Sequence, residues 1–386
     1  MYFSFSPEHD DLRSAVRDFL ADKSPEVEVR RLMDTTDGYD PGVWRQMAQQ
    51  LGLQGLIVPE EFGGAGFGYV ELLVVLEEMG RALLCAPYFS TVALAANLLL
   101  ALEDKAAQAD YLPGIADGSL IATVALSEAS GRWDEAGITA TAARAGDQWA
   151  LTGEKMYVLD GHTAGLVLAA ARTPGGVSLF AVDTAAMDTA AVDAGAANSG
   201  AAGVTATPLK VMDQTRKQAR LTFEGAPARL VGTEGGAWPA LSRMLDLAAV
   251  ALAAEQVGGA QQVLDTAVAY AKERVQYGRE IGSYQAIKHK LADLLVEVES
   301  AKSAAYYAAW AVAEDSDEVP AVASLAKSLC SEAYFHTAQD NIQVHGGIGF
   351  TWEHSAHLYF KRAKSSEVLF GDPSYHRELF AQRSGI

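Results

Sequence analysis

The residue types best suited to binding an anionic ligand lie in a stretch that starts at Arg274 and separates two long helical patterns. Gly278 and Gly282 interrupt the helical periodicity, which predicts a turn with Arg274 at the end of the first helix. A guanidinium group can hold a phosphate through two parallel hydrogen bonds. Gln285 opens the next helical pattern, where free backbone N–H groups and the helix dipole also favour anions. The spacing therefore predicts an anion-binding corner between two helices.

A second glycine-rich motif closes a later helical pattern with the sequence Gln-Val-His-Gly-Gly-Ile-Gly-Phe, from Gln343 to Phe350. Gly346 and Gly347 would let a ligand approach the backbone closely, because glycine has no side chain. Taken alone, the paired glycines are equally consistent with an ordinary helix C-cap. Both interpretations stay open on these residues alone.

No metal site or disulfide is predicted. His345, His354 and His357 cluster near the second motif, but their spacing is not that of a metal-binding set. Cys85 and Cys330 are far apart in the chain, and both fall in apolar helical patterns. We expect them to be buried thiols.

The character of the chain changes twice along its length. Helical patterns fill residues 1–118, and short β-branched or apolar runs alternate with turn residues over 119–232. Helical patterns return over 233–386. This order predicts an α+β fold with a helical N-terminal domain, a middle β-barrel or sandwich domain and a C-terminal four-helix bundle.

The Ala- and Gly-rich segment Asp193–Gly203 is predicted to be a surface loop. The four bundle helices are predicted at Trp238–Glu273, Tyr284–Ala313, Pro320–Val344 and Trp352–Glu367.

The composition excludes several classes of protein. The chain has 386 residues, of which 49% are hydrophobic, as expected of a globular protein with a large core. The formal net charge is -19 and no cluster of Lys and Arg occurs, so no nucleic-acid partner is predicted. The most apolar run, Val92–Leu102, is too short to span a bilayer, and the N-terminus lacks the features of a signal peptide. We therefore expect a cytoplasmic protein without a membrane span.

Together the two motifs resemble the signatures of the acyl-CoA dehydrogenase family, Arg-x-Gln-(Phe/Tyr)-Gly…(Phe/Tyr)-Gln…Leu-Ala-Asp and Gln-x-x-Gly-Gly-x-Gly-(Phe/Tyr). The loop Pro-Glu-Glu-Phe-Gly-Gly, which starts at Pro59, and the order of the three domains also resemble that family, so the likeness covers essentially the whole chain. The resemblance implies an acyl-CoA substrate, FAD as cofactor and an oligomer in which one subunit contacts the FAD of its neighbour. The residues that it implies for this contact with the ADP half of FAD are Arg274, Tyr277, Gln285, Gln343, Gly346 and Gly347.

The resemblance also locates where a catalytic base would lie. In that family a glutamate removes the α-proton of an acyl thioester while hydride leaves the β-carbon for flavin N5, and the carboxylate must be ionised beforehand. The usual base position falls on Phe370 and a rarer one on Ala248, so both lack a carboxylate. Asp372 lies two residues past Phe370 and is one substitute. Glu255 is another, but it lies about 10 Å further along its helix than Ala248.

The β domain departs from the family pattern as well. The family's Thr-Glu-Pro-x-Ala-Gly-Ser-Asp segment becomes Ser-Glu-Ala-Ser-Gly-Arg-Trp from Ser127 to Trp133, and Leu159 replaces the hydroxyl expected near flavin N5. The motifs implied to serve a neighbour's FAD are intact, whereas those implied to hold this chain's own flavin are degraded. The chain therefore resembles the subunit that lacks the catalytic glutamate in heterotetrameric, actinobacterial-type acyl-CoA dehydrogenases.

Two other functions stay open on the sequence. The chain could be a self-sufficient flavoenzyme that uses a non-standard base, such as Asp372 or Glu255, on another thioester or a nitroalkane. It could also be a flavin-poor scaffold that only assembles with enzymes. The amount of FAD bound per chain distinguishes these functions, and the acyl group of the substrate cannot be read from the residues.

Overall fold

The computed structural model of the protein describes residues 5–102, 104–146, 148–184 and 202–386. These residues form two compact units, each built from separate segments of the chain. The helical unit comprises Met1–Val29, Gly68–Leu84 and Ala248–Ile386, and the mixed unit comprises Arg30–Phe67 and Cys85–Leu247. The boundaries of the predicted three-domain division stay a prediction. Residues 193–201 of the predicted surface loop lie outside the described residues.

The N-terminal third of the chain is helical, and side chains cap several helix starts. The carboxylate of Asp40 accepts hydrogen bonds from the backbone of Gly42 at 2.8 Å and Val43 at 3.1 Å, which satisfies two free N–H groups of the helix that begins at Pro41. The residue pattern predicts one helix over Phe89–Leu102, whereas the structure has a π-helix, Phe89–Ala96, followed by a short α-helix. The α-helices are α1 (Pro7–Lys23), α2 (Glu26–Met33), α3 (Pro41–Leu51), α4 (Tyr69–Arg81), α5 (Asn97–Ala101) and α6 (Lys105–Ala116).

The strands of the mixed unit form a sheet that closes on itself. They are β1 (Ala122–Ala125), β2 (Thr141–Ala145), β3 (Gln148–Leu159), β4 (Leu166–Thr173), β5 (Gly176–Asp183), β6 (Val204–Pro208) and β7 (Gln218–Val231). β4 pairs with β2, β2 with β3, β3 with β7, β7 with β5 and β5 with β4, so these five strands form a ring. Trp149, Phe180 and Phe223 are buried in its core. The ring is the barrel form of the predicted barrel or sandwich.

One strand of the barrel is longer than its residue pattern predicts. The pattern predicts two short strands, Trp149–Thr152 and Lys155–Leu159, but the structure has the single strand β3. Gly153 allows this because its φ is 143° and a side chain there would lie 2.7 Å from the Cβ of Ala140. The glycine that suggested a break therefore lets β3 continue past its neighbour.

The C-terminal third is helical, as predicted. It consists of α7 (Trp238–Glu273), α8 (Gln285–Ala313), α9 (Val319–His345), α10 (Ala356–Val368) and α11 (Pro373–Arg383), with a short hairpin of β8 (Val275–Gln276) and β9 (Arg279–Glu280) between α7 and α8. α10 starts later than the predicted Trp352 because a 3-10 turn at Gly346–Phe350 delays it. The helix α11 was not predicted from the sequence, although Asp372 and Pro373 are a recognisable helix start. Among the described residues, no helix is long and apolar enough to cross a bilayer.

Candidate functional site

The corner predicted to bind an anion is a tight hairpin between α7 and α8. Arg274 directly follows α7, and its backbone N–H donates to Tyr270 O at 2.9 Å. Tyr277 and Gly278 form the hairpin turn with φ values of 52° and 79°. Positive φ at both central residues matches the right-handed twist of a two-residue hairpin. The turn leaves the side chain of Tyr277 95% exposed, so it is free to contact a partner or a ligand.

Several polar side chains near this corner form no hydrogen bond or ion pair within the described chain. The side chains of Arg274, Gln285 and Gln343 form no hydrogen bond or ion pair with any described residue. The ammonium groups of Lys272 and Lys288 are likewise unpaired within the described ranges. In a chain with a net charge of -19, such a group of unpaired donors and cations is suited to an anionic ligand.

The paired glycines open the backbone beside α9. Gly346 ends the helix with a φ of 62°. A Cβ added at Gly346 or Gly347 would meet no atom within 4 Å. Gly346 is the C-cap of α9, and its positive φ is one that glycine adopts readily. The open space at Gly346 and Gly347 permits a close approach by a ligand. The two interpretations of the motif are therefore compatible.

A groove of about 830 Å³ adjoins this motif. Gln343, Phe350 and Trp352 line it, and the Trp352 ring stacks on His357 with centroids 4.5 Å apart. The Nζ of Lys361 lies 4.4 Å from the centroid of the Trp352 ring. Flat aromatic walls beside amide and ammonium donors suit a ligand that has both a ring and an anionic group.

The two predicted base positions carry buried apolar side chains. Phe370 is 5% exposed and adopts a φ of 62°, and Ala248 is fully buried. Asp372, one substitute, is the N-cap of α11, where its carboxylate accepts a hydrogen bond from the backbone of Tyr375 at 2.8 Å. Its position two residues past Phe370 is explained by this capping role.

Glu255, the other substitute, belongs to a buried ion pair. Its carboxylate accepts a hydrogen bond from Arg362 at 2.8 Å, and both side chains are buried. This carboxylate therefore has a structural role, because removing it would leave a buried guanidinium without its partner. Arg362 was not predicted from the sequence. Its only signal is an arginine on the apolar face of α10.

The degraded flavin segment of the mixed unit is held by a second buried ion pair. The Nζ of Lys155 on β3 lies 2.8 Å from the carboxylate of Glu128 and also donates to Leu126 O at 3.0 Å. The same carboxylate accepts from the backbone of Thr139 and Ala140, each at 2.9 Å. Burial raises the pKa of Glu128, but the bonds from Ala140 and Lys155 outweigh it and hold that pKa below its usual range. This carboxylate therefore stays ionised at neutral pH.

The side chain expected beside flavin N5 has no donor. Leu159 is buried at the end of β3, and only its backbone O accepts a hydrogen bond, from Thr123 at 2.6 Å. A hydrocarbon side chain at this position cannot replace a hydroxyl as a hydrogen-bond donor.

We expect Lys155→Met to destabilise the protein by about 3–5 kcal/mol, because it leaves the Glu128 carboxylate buried without its cation. Denaturant unfolding followed by circular dichroism at pH 7 measures this. The folded pKa of Glu128 is lowered, so the stability that it contributes is present above its unfolded pKa and falls as the solution is acidified. Adding Glu128→Gln to the variant should recover part of the loss. A single variant as stable as wild type would contradict the expectation.

Comparison with known proteins assigns the chain to a family. Residues 6–119 match the family model described as Acyl-CoA dehydrogenase, N-terminal domain, and residues 235–385 match Acyl-CoA dehydrogenase, C-terminal domain. The chain therefore belongs to the acyl-CoA dehydrogenase family and is an FAD-dependent oxidoreductase of that family. The resemblance, fold class and FAD cofactor inferred from the sequence are confirmed. The unpaired guanidinium and amides at the corner fit the anionic pyrophosphate of FAD.

Similar proteins come from bacteria. The acyl-CoA dehydrogenase IpdE2 of Mycolicibacterium smegmatis is 35% identical over 370 residues, which is 95% of this chain and 96% of that protein. The structure of the Tcur3481-Tcur3483 steroid ACAD is 31% identical with a TM-score of 0.84, covering 98% of both chains. The ChsE4-ChsE5 complex from Mycobacterium tuberculosis is 28% identical with a TM-score of 0.88, covering 100% of this chain and 99% of that one.

Proposed function

We propose that this chain is the subunit without a catalytic glutamate in a two-plus-two heterotetrameric acyl-CoA dehydrogenase. It would support the FAD-dependent α,β-desaturation of an acyl-CoA thioester together with a second, catalytic subunit. The observation that carries this proposal is that both family base positions, Phe370 and Ala248, are buried hydrocarbon side chains. Neither can accept a proton, and each substitute carboxylate has a structural role in the described chain.

The chemistry divides between the two subunits as follows. FAD, when bound, would supply the acceptor for the hydride that leaves the β-carbon of the acyl group. Removal of the α-proton needs an ionised carboxylate within hydrogen-bond reach of that carbon, which the partner's glutamate would provide. This chain's contribution is to bind the flavin through Arg274, Gln285 and Gln343, which are unpaired among the described residues, and to complete the assembly.

We propose that these contacts are made across the subunit interface, to the FAD of the partner. Two motifs far apart in sequence supply them, and the hairpin turn presents Tyr277 almost fully to the exterior of the isolated chain. Two of the similar structures are named as pairs of different chains, Tcur3481-Tcur3483 and ChsE4-ChsE5. These names support a partner that is a second acyl-CoA dehydrogenase subunit.

We further propose a steroid-derived acyl group over a straight-chain fatty acyl group. The support is the name of one similar structure, a steroid ACAD, at 31% identity over nearly the whole chain. A comparison of turnover by the assembled enzyme on a steroid acyl-CoA and on a straight-chain acyl-CoA tests this part separately.

Flavin content tests the assembly. We expect little FAD on the chain purified alone, and about one FAD per two chains after co-expression with the product of a neighbouring acyl-CoA dehydrogenase gene, because assembly and cofactor binding are linked. The melting temperature should rise on assembly, since FAD at about 100 times its Kd stabilises the bound state by roughly 2.7 kcal/mol. Flavin absorbance, light scattering and thermal unfolding measure these quantities.

Each alternative function predicts a different flavin content. A self-sufficient homomeric enzyme would carry one FAD per chain without any partner and would turn over substrate. A scaffold would carry none in any assembly. A well-folded monomer saturated with FAD would overturn the cross-subunit contact.

A further inference from the structure

Lys327 lies in the core of the helical unit without a counter-ion. It is on α9, and its side chain is completely buried. Its Nζ is within hydrogen-bond distance of Glu367 O at 3.0 Å, Gly371 O at 3.1 Å and Ser331 Oγ at 2.9 Å. No carboxylate of the described residues forms an ion pair with it. A buried ammonium without a counter-ion is costly, so this environment favours the neutral amine.

The two carbonyl groups that Lys327 contacts lie in a turn, residues 367–372, that comprises the last residues of α10 and the link to α11. Phe370 adopts a φ of 62° in this turn, a conformation that an aromatic residue rarely takes, and Gly371 has a φ of 112°. His376 on α11 lies with Nε2 3.2 Å from Phe370 O. Buried donors from α9 and α11 therefore hold three carbonyl groups of a strained turn.

The surrounding hydrogen bonds can be completed with a neutral amine. A neutral amine has two N–H donors and one lone pair, so it can donate to Glu367 O and Gly371 O and accept from the hydroxyl of Ser331. Gln256 Nε2 then donates to Ser331 Oγ at 3.0 Å. A charged ammonium would instead donate to Ser331, whose hydroxyl would have to turn towards Gln256 Oε1 at the longer distance of 3.5 Å.

The carboxylates of Glu367 and Asp372 favour a charge on Lys327, but neither forms an ion pair with it among the described residues. The Cys330 thiol is buried, which raises its pKa to about 12 and keeps it neutral. Burial is the largest of the effects that lower the pKa of His376 to about 3, so this ring is neutral as well. The carboxylates of the neighbouring elements bind other groups. These pairs are Glu367 with Lys364 at 2.7 Å, Glu255 with Arg362 at 2.8 Å, and Asp372 with the Tyr375 backbone at 2.8 Å.

We propose that Lys327 is a neutral amine in the folded subunit and that its protonation is a pH switch that loosens the turn of residues 367–372. Protonation places a buried charge without an ion-pair partner under the turn and reverses the Ser331 hydrogen bond. Burial lowers the pKa of Lys327 to about 7, so the closed turn loses stability relative to the opened one as the pH falls towards 7. The inference does not depend on which subunit carries the catalytic base.

Hydrogen–deuterium exchange of the purified full-length protein with its cofactor and partner tests the switch. The probe is the backbone protection of residues 366–376 between pH 6 and pH 9, corrected for intrinsic exchange. The pKa of Lys327 is lower in the folded protein than in the opened turn. Above pH 7, Lys327 therefore takes up a proton when the turn opens. Protection should therefore rise about tenfold per pH unit above pH 7, or roughly 100-fold by pH 9, and stay level below pH 7.

Lys327→Met should remove this rise, because methionine fills a similar volume without titrating. The exposed Lys105→Met should leave it unchanged. If Lys327→Met fails to fold, Ser331→Asp also tests whether Lys327 causes the rise in protection. A carboxylate at position 331 stabilises the ammonium of Lys327 and moves the rise in protection above pH 9. Level protection in the wild type between pH 7 and pH 9, or an equal rise in Lys327→Met or Ser331→Asp, would overturn the inference.

Discussion

Arg274→Ala is expected to weaken FAD binding to the assembled enzyme by about 10- to 100-fold. The guanidinium has no partner among the described residues, so its hydrogen-bonding capacity is available to a phosphate. A hydrogen bond to a charged group is worth about 1.5–3 kcal/mol, and 1.4 kcal/mol corresponds to about a tenfold change in Kd. Titration of the flavin-free complex with FAD, followed by flavin fluorescence, measures the change.

Control variants separate this contact from a general loss of structure. Arg45 is exposed and unpaired within the described chain and lies in the mixed unit, so Arg45→Ala should leave FAD affinity unchanged. Gln343→Ala removes a neutral donor and should weaken FAD binding by less, about 0.5–1.5 kcal/mol. Arg274→Lys keeps the charge but not the bidentate geometry, so its FAD affinity should lie between those of Arg274→Ala and wild type. Equal affinity of Arg274→Ala and wild type would exclude Arg274 from the flavin site.

The thermal stability of flavin-free Arg274→Ala should match that of the flavin-free wild type. Its exposed side chain makes no hydrogen bond or ion pair among the described residues that the substitution could remove. A large drop in melting temperature without FAD would show instead that the residue has a structural role.

Regular helices and the hairpin corner could be predicted because their signals are local. The bounds of α7 agree with the prediction from the helical pattern of the sequence. The turn at Gly278 follows from the need for positive φ, which glycine supplies at little cost. Such signals depend on a few neighbouring residues, so the sequence shows them directly.

The buried polar groups could not be predicted because their partners are distant in the chain. Glu255 and Arg362 are 107 residues apart, and Lys327 contacts carbonyl groups 40 and 44 residues away. Periodicity shows that a charged residue lies on an apolar face, but only the packing of helices shows what neutralises it. For Glu255 this distinction changes the chemistry, since a carboxylate that seemed available as a base is held by a guanidinium.

The chain purified alone is expected to show essentially no acyl-CoA dehydrogenation, and the complex with its partner should be active. General base catalysis contributes about 10²- to 10⁴-fold to a rate, and neither Phe370 nor Ala248 can supply it. Reduction of an artificial electron acceptor with acyl-CoA present, normalised to bound FAD, measures turnover. Normalisation matters because the isolated chain is expected to bind little flavin.

Asp372→Asn decides whether a carboxylate of this chain has been overlooked. Asparagine caps a helix about as well as aspartate, so the start of α11 should be retained and the activity of the complex unchanged. Glu255→Gln is a harsher test, because it leaves Arg362 without its buried partner and should destabilise the fold by about 3–5 kcal/mol. Its activity is therefore compared per folded molecule. The contrary result would be turnover by a verified homomer of this chain that is lost in Asp372→Asn or in Glu255→Gln. Such a loss would identify that carboxylate as the base and refute the assignment of this chain as the non-catalytic subunit.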